Sequence, residues 1–252
     1  MPGQLLCELH AHTTWSDGAL TLPELVDLYG RSGFDVLAIT DHVVRADDPA
    51  RCTGSTVVAT TYDEYLTEIE AEAERAAARY GLLVVPGLEL TYDDADPRRA
   101  AHALALGLRR FVEVDRGLEP AVADARARGA ALVAADPYTL AATATAPRTT
   151  ARFAEKPEWA AGAVDRFEVC NRYTFFGWVA ERRMPVVATG DFHRREHLGS
   201  WKTLLPAEKS EAGVVEYLRS SRPVALTLVD PQAEPLGRAA RGGNRTAPVD
   251  VR

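Results

Sequence analysis

Short apolar runs alternate along this chain with longer amphipathic stretches, which is the pattern of βα units built around a parallel sheet. Strands are predicted at Leu5 to Leu9, Val36 to Thr40, Leu82 to Pro86, His102 to Leu106, Ala131 to Ala135, Arg166 to Val169, Val186 to Thr189 and Val224 to Leu228. Helices are predicted where the punctuation between them is legible. Thr21-Leu22-Pro23-Glu24 has capping-box spacing with a proline in the first turn, and Gly33 is placed to stop the helix that follows. The Ala- and Glu-rich stretch Asp63 to Tyr80 ends at Gly81, Glu119 to Arg128 ends at Gly129, and Ser210 to Ser221 precedes Arg222-Pro223. Thr139 to Glu158, rich in Ala, Thr and Pro, reads as a lid or a loop, and Asp230 to Arg252 as a loose polar tail.

A length of 252 residues with 46% hydrophobic side chains buries one full core, so a single domain over residues 1–229 with a flexible tail over 230–252 is expected. The net charge of -7, with Lys and Arg dispersed, gives no sign of a membrane partner, or of nucleic acid beyond a nucleotide or short oligonucleotide. Cys7, Cys52 and Cys170 are an odd number without CxxC spacing, which argues against a disulfide framework and against a cysteine zinc site and fits a reduced, cytoplasmic setting. Met1-Pro2-Gly3-Gln4 leads directly into a strand, so neither a signal peptide nor a membrane span is expected. Oligomeric state is not legible.

Chemistry gathers at the strand ends. Five of the six histidines fall in the series His10-Ala11-His12, Asp41-His42, Glu89, His102, Asp191-Phe192-His193. His10 and His12 are two apart, so on extended backbone both leave one face and can grip one ion; Glu8 shares that face and could orient an imidazole. Asp17 sits in a turn with Gly18. Carboxyl ends of strands are where α/β barrels collect their active sites, and Asp41-His42, Glu89 and Asp191 with His193 each follow an apolar run.

Four of these motifs, in this order, resemble the PHP family, named for polymerase and histidinol phosphatase. The matching segments are His10-Ala11-His12-Thr13 with Ser16-Asp17-Gly18, then Ile39-Thr40-Asp41-His42, Gly87-Leu88-Glu89 and Gly190-Asp191-Phe192-His193. The resemblance implies an α/β fold, a distorted (β/α)7 TIM-like barrel, with two to three divalent ions (Zn, Mn or Fe). It implies that His10, His12, Glu89 and Asp191 hold a first metal, that Glu89 bridges to a second also held by His102, and that Asp17, His42 and His193 hold a third. Family members usually have histidine before the proline in Ala135-Asp136-Pro137, where this chain has Asp136. A carboxylate is a competent hard ligand of shorter reach, so Asp136 is expected to ligate the second metal directly or through water, with a cap for the following segment as the alternative.

The activity implied is hydrolysis of a small phosphate ester (sugar, nucleotide or amino-alcohol phosphate) by a metal-bridging hydroxide. Two alternatives stand beside it: a hydrolase of the same fold acting on an amide or lactone, and a metal-binding protein impaired by Asp136. Arg172, Arg194 and Arg195 are candidates for binding the phosphate, and His197 for protonating the leaving oxygen. Trp15, Trp159, Trp178 and Trp201 read as core more readily than as pocket, and Cys170 as a buried apolar residue rather than a nucleophile.

Overall fold

The computed structural model describes residues 3–143 and 150–230, so the predicted tail from residue 231 onward, and residues 144–149 of the predicted lid, lie outside the described residues. The strands are β1 (Leu5–Glu8), β2 (Val36–Ile39), β3 (His42–Val43), β4 (Leu83–Tyr92), β5 (Ala101–Leu106), β6 (Ala131–Ala135), β7 (Arg166–Asn171), β8 (Thr174–Phe175), β9 (Val186–Thr189), β10 (Trp201–Leu205) and β11 (Ala225–Leu228). They form one curled mixed sheet in the order β11-β10-β1-β2-β4-β5-β6-β7-β8, with β3 beside β4 and β9 beside β7. The curl brings the segments after β1 and β9 together at a parallel bridge between Ala11 and Phe192.

The expectation of a uniformly parallel sheet is corrected here. β5 runs antiparallel to both β4 and β6, and β10 runs antiparallel to β1 and β11. Reversing β5 carries its first residues, not its last, to the edge where the other candidate ligands lie, which is why His102 stands at the start of its strand. β4 is also longer than predicted. Pro86 and Gly87 do not end it, because a Cβ at Gly87 would stand 2.8 Å from the Ala105 carbonyl oxygen, and bare glycine lets β5 pair there. Glu89 therefore lies inside β4, not just past it.

The sequence pattern predicts no strand at Trp201–Leu205. Its second residue, Lys202, is fully buried, with its ammonium 2.6 Å from the equally buried Glu8 carboxylate of β1. Arg166 of β7 is buried for a similar reason. Its guanidinium donates to the Tyr217, Leu218, Ser220 and Arg222 carbonyls at the end of the helix Glu211–Arg219, where unpaired C=O groups collect.

The helical expectations hold with shifts of a residue or two: Leu22–Arg31, Tyr62–Tyr80, Leu118–Ala127 and Glu211–Arg219. The Thr21 N–H and hydroxyl both donate to the Glu24 carboxylate, and Gly33 takes φ 76° beyond the helix end. Part of the predicted lid is helical, at Leu140–Thr143 and Arg152–Glu155. Among the described residues no helix is long and apolar enough to cross a membrane. The three cysteines are free, with Cys7 and Cys170 buried and Cys52 exposed.

Candidate metal centre

Beyond Glu8 the chain leaves β1 on an irregular path that backbone bonds fix against the segment after β9. His12 N–H donates to the Phe192 carbonyl at 2.8 Å, and Phe192 N–H to the His10 carbonyl at 3.0 Å. The turn after His12 is closed by Asp41, whose carboxylate accepts from Thr13 N–H (2.8 Å), the Thr13 hydroxyl (2.9 Å) and the Ser16 hydroxyl (2.6 Å). A Cβ at Gly18 would stand 2.3 Å from the His12 carbonyl oxygen, so glycine is required for close approach. Asp41 thus braces the turn that presents Asp17, while its neighbour His42 enters the site.

Glu89 occupies the middle. Its Oε2 lies 3.3 Å from His10 Nε2, 3.3 Å from His12 Nε2 and 3.0 Å from His42 Nδ1, and its Oε1 lies 3.0 Å from His102 Nδ1. Asp17 Oδ1 is 3.4 Å from His42 Nε2 and 3.2 Å from His193 Nε2. Asp191 Oδ1 is 3.5 Å from His10 Nε2 and 3.2 Å from His193 Nδ1. Three overlapping groups have potential ligand atoms all within 4.8 Å of one another: His12, Asp17, His42 and His193; His10, His12 and Glu89; and Glu89, His102 and Asp136. Every residue expected to hold metal is therefore in one place, with Asp191 beside the first two groups.

The donor set fits divalent cations. Among the described residues His12 Nε2 is buried without a hydrogen-bond partner, although the Glu89 and Asp191 oxygens stand 3.3 and 3.6 Å away. Imidazole and carboxylate lone pairs aimed at a common point are satisfied by a cation between them.

The expectation that Glu8 orients an imidazole is corrected. Its Oε1 accepts from the Leu9, His10 and Gly190 N–H groups, and its Oε2 from Tyr29 and Lys202. Glu8 thereby ties the His10 and Asp191 turns together through backbone. The imidazole of His10 is held instead by Glu168, whose Oε1 lies 2.8 Å from His10 Nδ1. Sequence reasoning passed over Glu168, and the available signal was a lone carboxylate within a buried strand. Asp93 was also passed over; its Oδ1 is 3.0 Å from His102 Nε2. Asp136 follows the last residue of β6. Its carboxylate accepts from Asn171 Nδ2 at 2.9 Å, and its N–H donates to Glu168 Oε2 at 2.9 Å. Asp136, Arg172 and Asp191 all take left-handed φ of 46°, 51° and 40°, a backbone cost that persists where surrounding structure enforces it.

Electrostatics follow from this crowding. Burial opposes the charged form of every imidazole, yet Asp191, Glu89 and Glu168 raise the pKa of His10, and Glu89 and Asp93 raise that of His102. Against the same penalty, Glu89 and Asp17 bring His42 to about 9, and Asp17 and Asp191 bring His193 to about 10. His12 goes the other way, to about 3, through burial and the neighbouring His42 and His193 charges. Asp136 rises to about 8 because burial and the Asp191 and Glu168 charges disfavour its carboxylate.

Arg172 donates to the Asp191 carboxylate at 2.6 Å and lines a cavity of about 570 Å³ with Tyr173, Arg194, Glu196, His197 and Ser200. Arg194 is largely exposed at its rim, whereas Arg195 is not among the lining residues and lies where its charge acts on Glu24. His197 Nδ1 accepts from His193 N–H at 3.1 Å. A second cavity of about 660 Å³ opens on the other side of the centre, beside Asp17, His42, Thr91 and Asp93. The four tryptophans pack against the core and line neither cavity. Burial and the Glu168 charge push the Cys170 thiol up to about 11, so it stays protonated and unreactive.

Comparison with known proteins agrees with this geometry. The fold superposes on a two-domain Bacteroides vulgatus protein containing a predicted PHP-like metal-dependent phosphoesterase, with a TM-score of 0.65 and 20% identity over 90% of this chain. This chain spans 65% of that protein. A Bifidobacterium adolescentis protein assigned as a metal-dependent phosphoesterase superposes with a TM-score of 0.51 and 17% identity, covering 77% of this chain and 90% of the other. In sequence, 40 residues are 45% identical to the Bacillus subtilis DNA polymerase/3'-5' exonuclease PolX, covering 16% of this chain and 7% of the polymerase. The PHP domain model matches residues 8–146, more than half of the 252, so the chain belongs to the PHP domain family.

Proposed function

We propose that this protein is a metal-dependent phosphoesterase acting on a small phosphate ester. The observation that carries the reading is Glu89, a buried carboxylate facing four imidazoles and shared between two of three adjoining ligand groups. In this reading His10, His12, Glu89 and Asp191 hold a first ion, Glu89, His102 and Asp136 a second, and Asp17, His42 and His193 a third. Divalent ions bound there would lower the pKa of water and neutralise charge on the phosphate. In this reading strands β1, β2, β4, β5, β6, β7 and β9 stand for the seven strands of a distorted (β/α)7 barrel, a reading supported by the curl of the sheet and the bridge between Ala11 and Phe192.

The chain's own groups do the rest. Arg172 borders the cavity with its guanidinium fixed by Asp191, and is placed to take a phosphate oxygen; Arg194 can swing in from the rim. His197 Nδ1 lies 3.1 Å from the His193 N–H and 3.2 Å from the Asp191 carbonyl oxygen, and the tautomer that accepts from His193 carries its ring proton on Nε2. Burial and Arg172 lower its pKa to about 4, so it serves the leaving oxygen as a neutral hydrogen-bond donor. Arg195 has the weakest claim on substrate.

The test is metal content by elemental analysis of protein purified without chelator, alongside turnover of phosphomonoester, amide and lactone panels. Phosphate release that disappears in His10→Ala and Asp191→Ala supports the reading. Amide or lactone turnover without phosphate release replaces it with the carbon-centred alternative, and full metal loading with no turnover on any panel makes the chain a binding protein.

A further inference from the structure

The three ligand groups differ in chemistry. His12, Asp17, His42 and His193 offer three imidazoles and one carboxylate; His10, His12 and Glu89 offer two imidazoles and one carboxylate; Glu89, His102 and Asp136 offer one imidazole and two carboxylates. Imidazole nitrogen suits Zn and Fe, while carboxylate oxygen suits harder ions such as Mn and Mg. Zn outcompetes Mn at most protein sites, but by a margin that depends on the donors, being wide for nitrogen and narrow for oxygen.

We propose that the centre is heterometallic, with the Glu89, His102 and Asp136 group taking a hard, oxygen-preferring divalent ion and the two imidazole-rich groups taking ions of the zinc class. This rests on the metal centre proposed above. Its surroundings favour the same assignment. Asp136 is held by three elements of the fold: its own left-handed backbone, the Asn171 amide on its carboxylate and the Glu168 carboxylate on its N–H. The oxygen donor is thus fixed in place before any ion arrives. The lone imidazole has acids on both ring nitrogens, with Glu89 Oε1 and Asp93 Oδ1 each at 3.0 Å, so the local field is that of a carboxylate cluster. Asp136 decides the class of ion, because among the described residues it and His102 belong to this group and to neither of the others, and of the two Asp136 brings the oxygen donor.

The experiment uses whole protein stripped of metal, then equilibrated with about two equivalents of Zn and an excess of Mn. Zn and Mn are counted by elemental analysis, and bound Mn is read independently by electron paramagnetic resonance. The expected result is retention of both zinc equivalents together with stoichiometric Mn, and loss of the Mn but not the Zn in Asp136→Ala and Asp136→Asn. Asp136→His should exchange the Mn for further Zn when Zn is raised. The proposal is overturned if wild-type protein takes no Mn under these conditions, if Zn fills all groups with one affinity, or if either Asp136 variant keeps its Mn. Protein that binds neither ion refutes the metal centre itself, which is a separate outcome. Circular dichroism of each variant identifies a failure to fold, and the Asp136→His exchange then decides the matter alone.

Discussion

Replacing Glu168 with glutamine should weaken metal binding without unfolding the chain. Glu168 is fully buried, and both its oxygens are doubly engaged: Oε1 with His10 Nδ1 (2.8 Å) and the Thr189 hydroxyl (2.6 Å), Oε2 with Asp136 N–H (2.9 Å) and Asn171 Nδ2 (3.0 Å). A glutamine fills the same volume but must turn its NH2 toward one of these pairs. Asp136 N–H and the Asn171 amide cannot accept, so the NH2 turns toward Thr189, whose hydroxyl can, and His10. There it drives the His10 proton from Nδ1 to Nε2, the atom that faces Glu89 and Asp191. A ligand nitrogen that carries a proton has no lone pair to give. Losing such an orienting partner costs roughly 10- to 100-fold in metal affinity. That range equals about 1.4 to 2.8 kcal/mol, within what one or two charge-assisted hydrogen bonds supply. Competition with a coloured chelator measures the affinity, and thermal unfolding of the metal-free variant measures the fold. A folded Glu168→Gln protein that binds Zn within about threefold of wild type would refute the tautomer argument, since it predicts at least tenfold.

Arg172→Ala should raise KM for a phosphomonoester by about tenfold or more with a smaller change in kcat, since a charged hydrogen bond is worth roughly 1.5–3 kcal/mol; an unchanged KM would remove Arg172 from phosphate binding. For metal-free protein, His42 and His193 titrate near 9 and 10 in the fold against about 6.5 unfolded, so the folded state holds the extra protons. Their contribution is complete below pH 6.5 and is lost as pH rises through 9 to 10, so Tm should fall across that range, and a Tm that rises there contradicts the ion-pair geometry. Gly190→Ala puts a Cβ 2.1 Å from Lys202 Nζ and 2.3 Å from Glu8 Oε2, prising apart a fully buried ion pair. Denaturant unfolding should show a loss of about 3–5 kcal/mol, the cost of breaking such a pair, and a change under about 0.5 kcal/mol would mean the pair yields freely.

Much of the candidate site is legible in the sequence because its candidate ligands stand beside strong local signals. His10 and His12, His42, Asp136 and Asp191 each follow an apolar run or its turn, and each reaches the same edge of the sheet. Less legible are residues whose partners are remote in sequence. Glu168 is 158 positions from His10, and nothing local to Arg166-Phe167-Glu168-Val169 announces which imidazole it will meet. The assignment of an orienting role to Glu8 fails for the same reason. Strand alternation gives a face, but Lys202 and the turn amides of Leu9, His10 and Gly190 decide what that face touches.

By itself the sequence determined the α/β alternation, the helices to within a residue or two and the candidate metal-binding side chains, because periodicity, caps and side-chain type are local properties. Tertiary structure alone decided that β5 runs backwards, that Lys202 and Arg166 lie buried within strands, and which atoms converge on Glu89. Strand direction and the pairing of buried charges depend on contacts between segments far apart in the chain. Those contacts are set by how the whole sheet curls and closes, which no stretch of sequence encodes on its own.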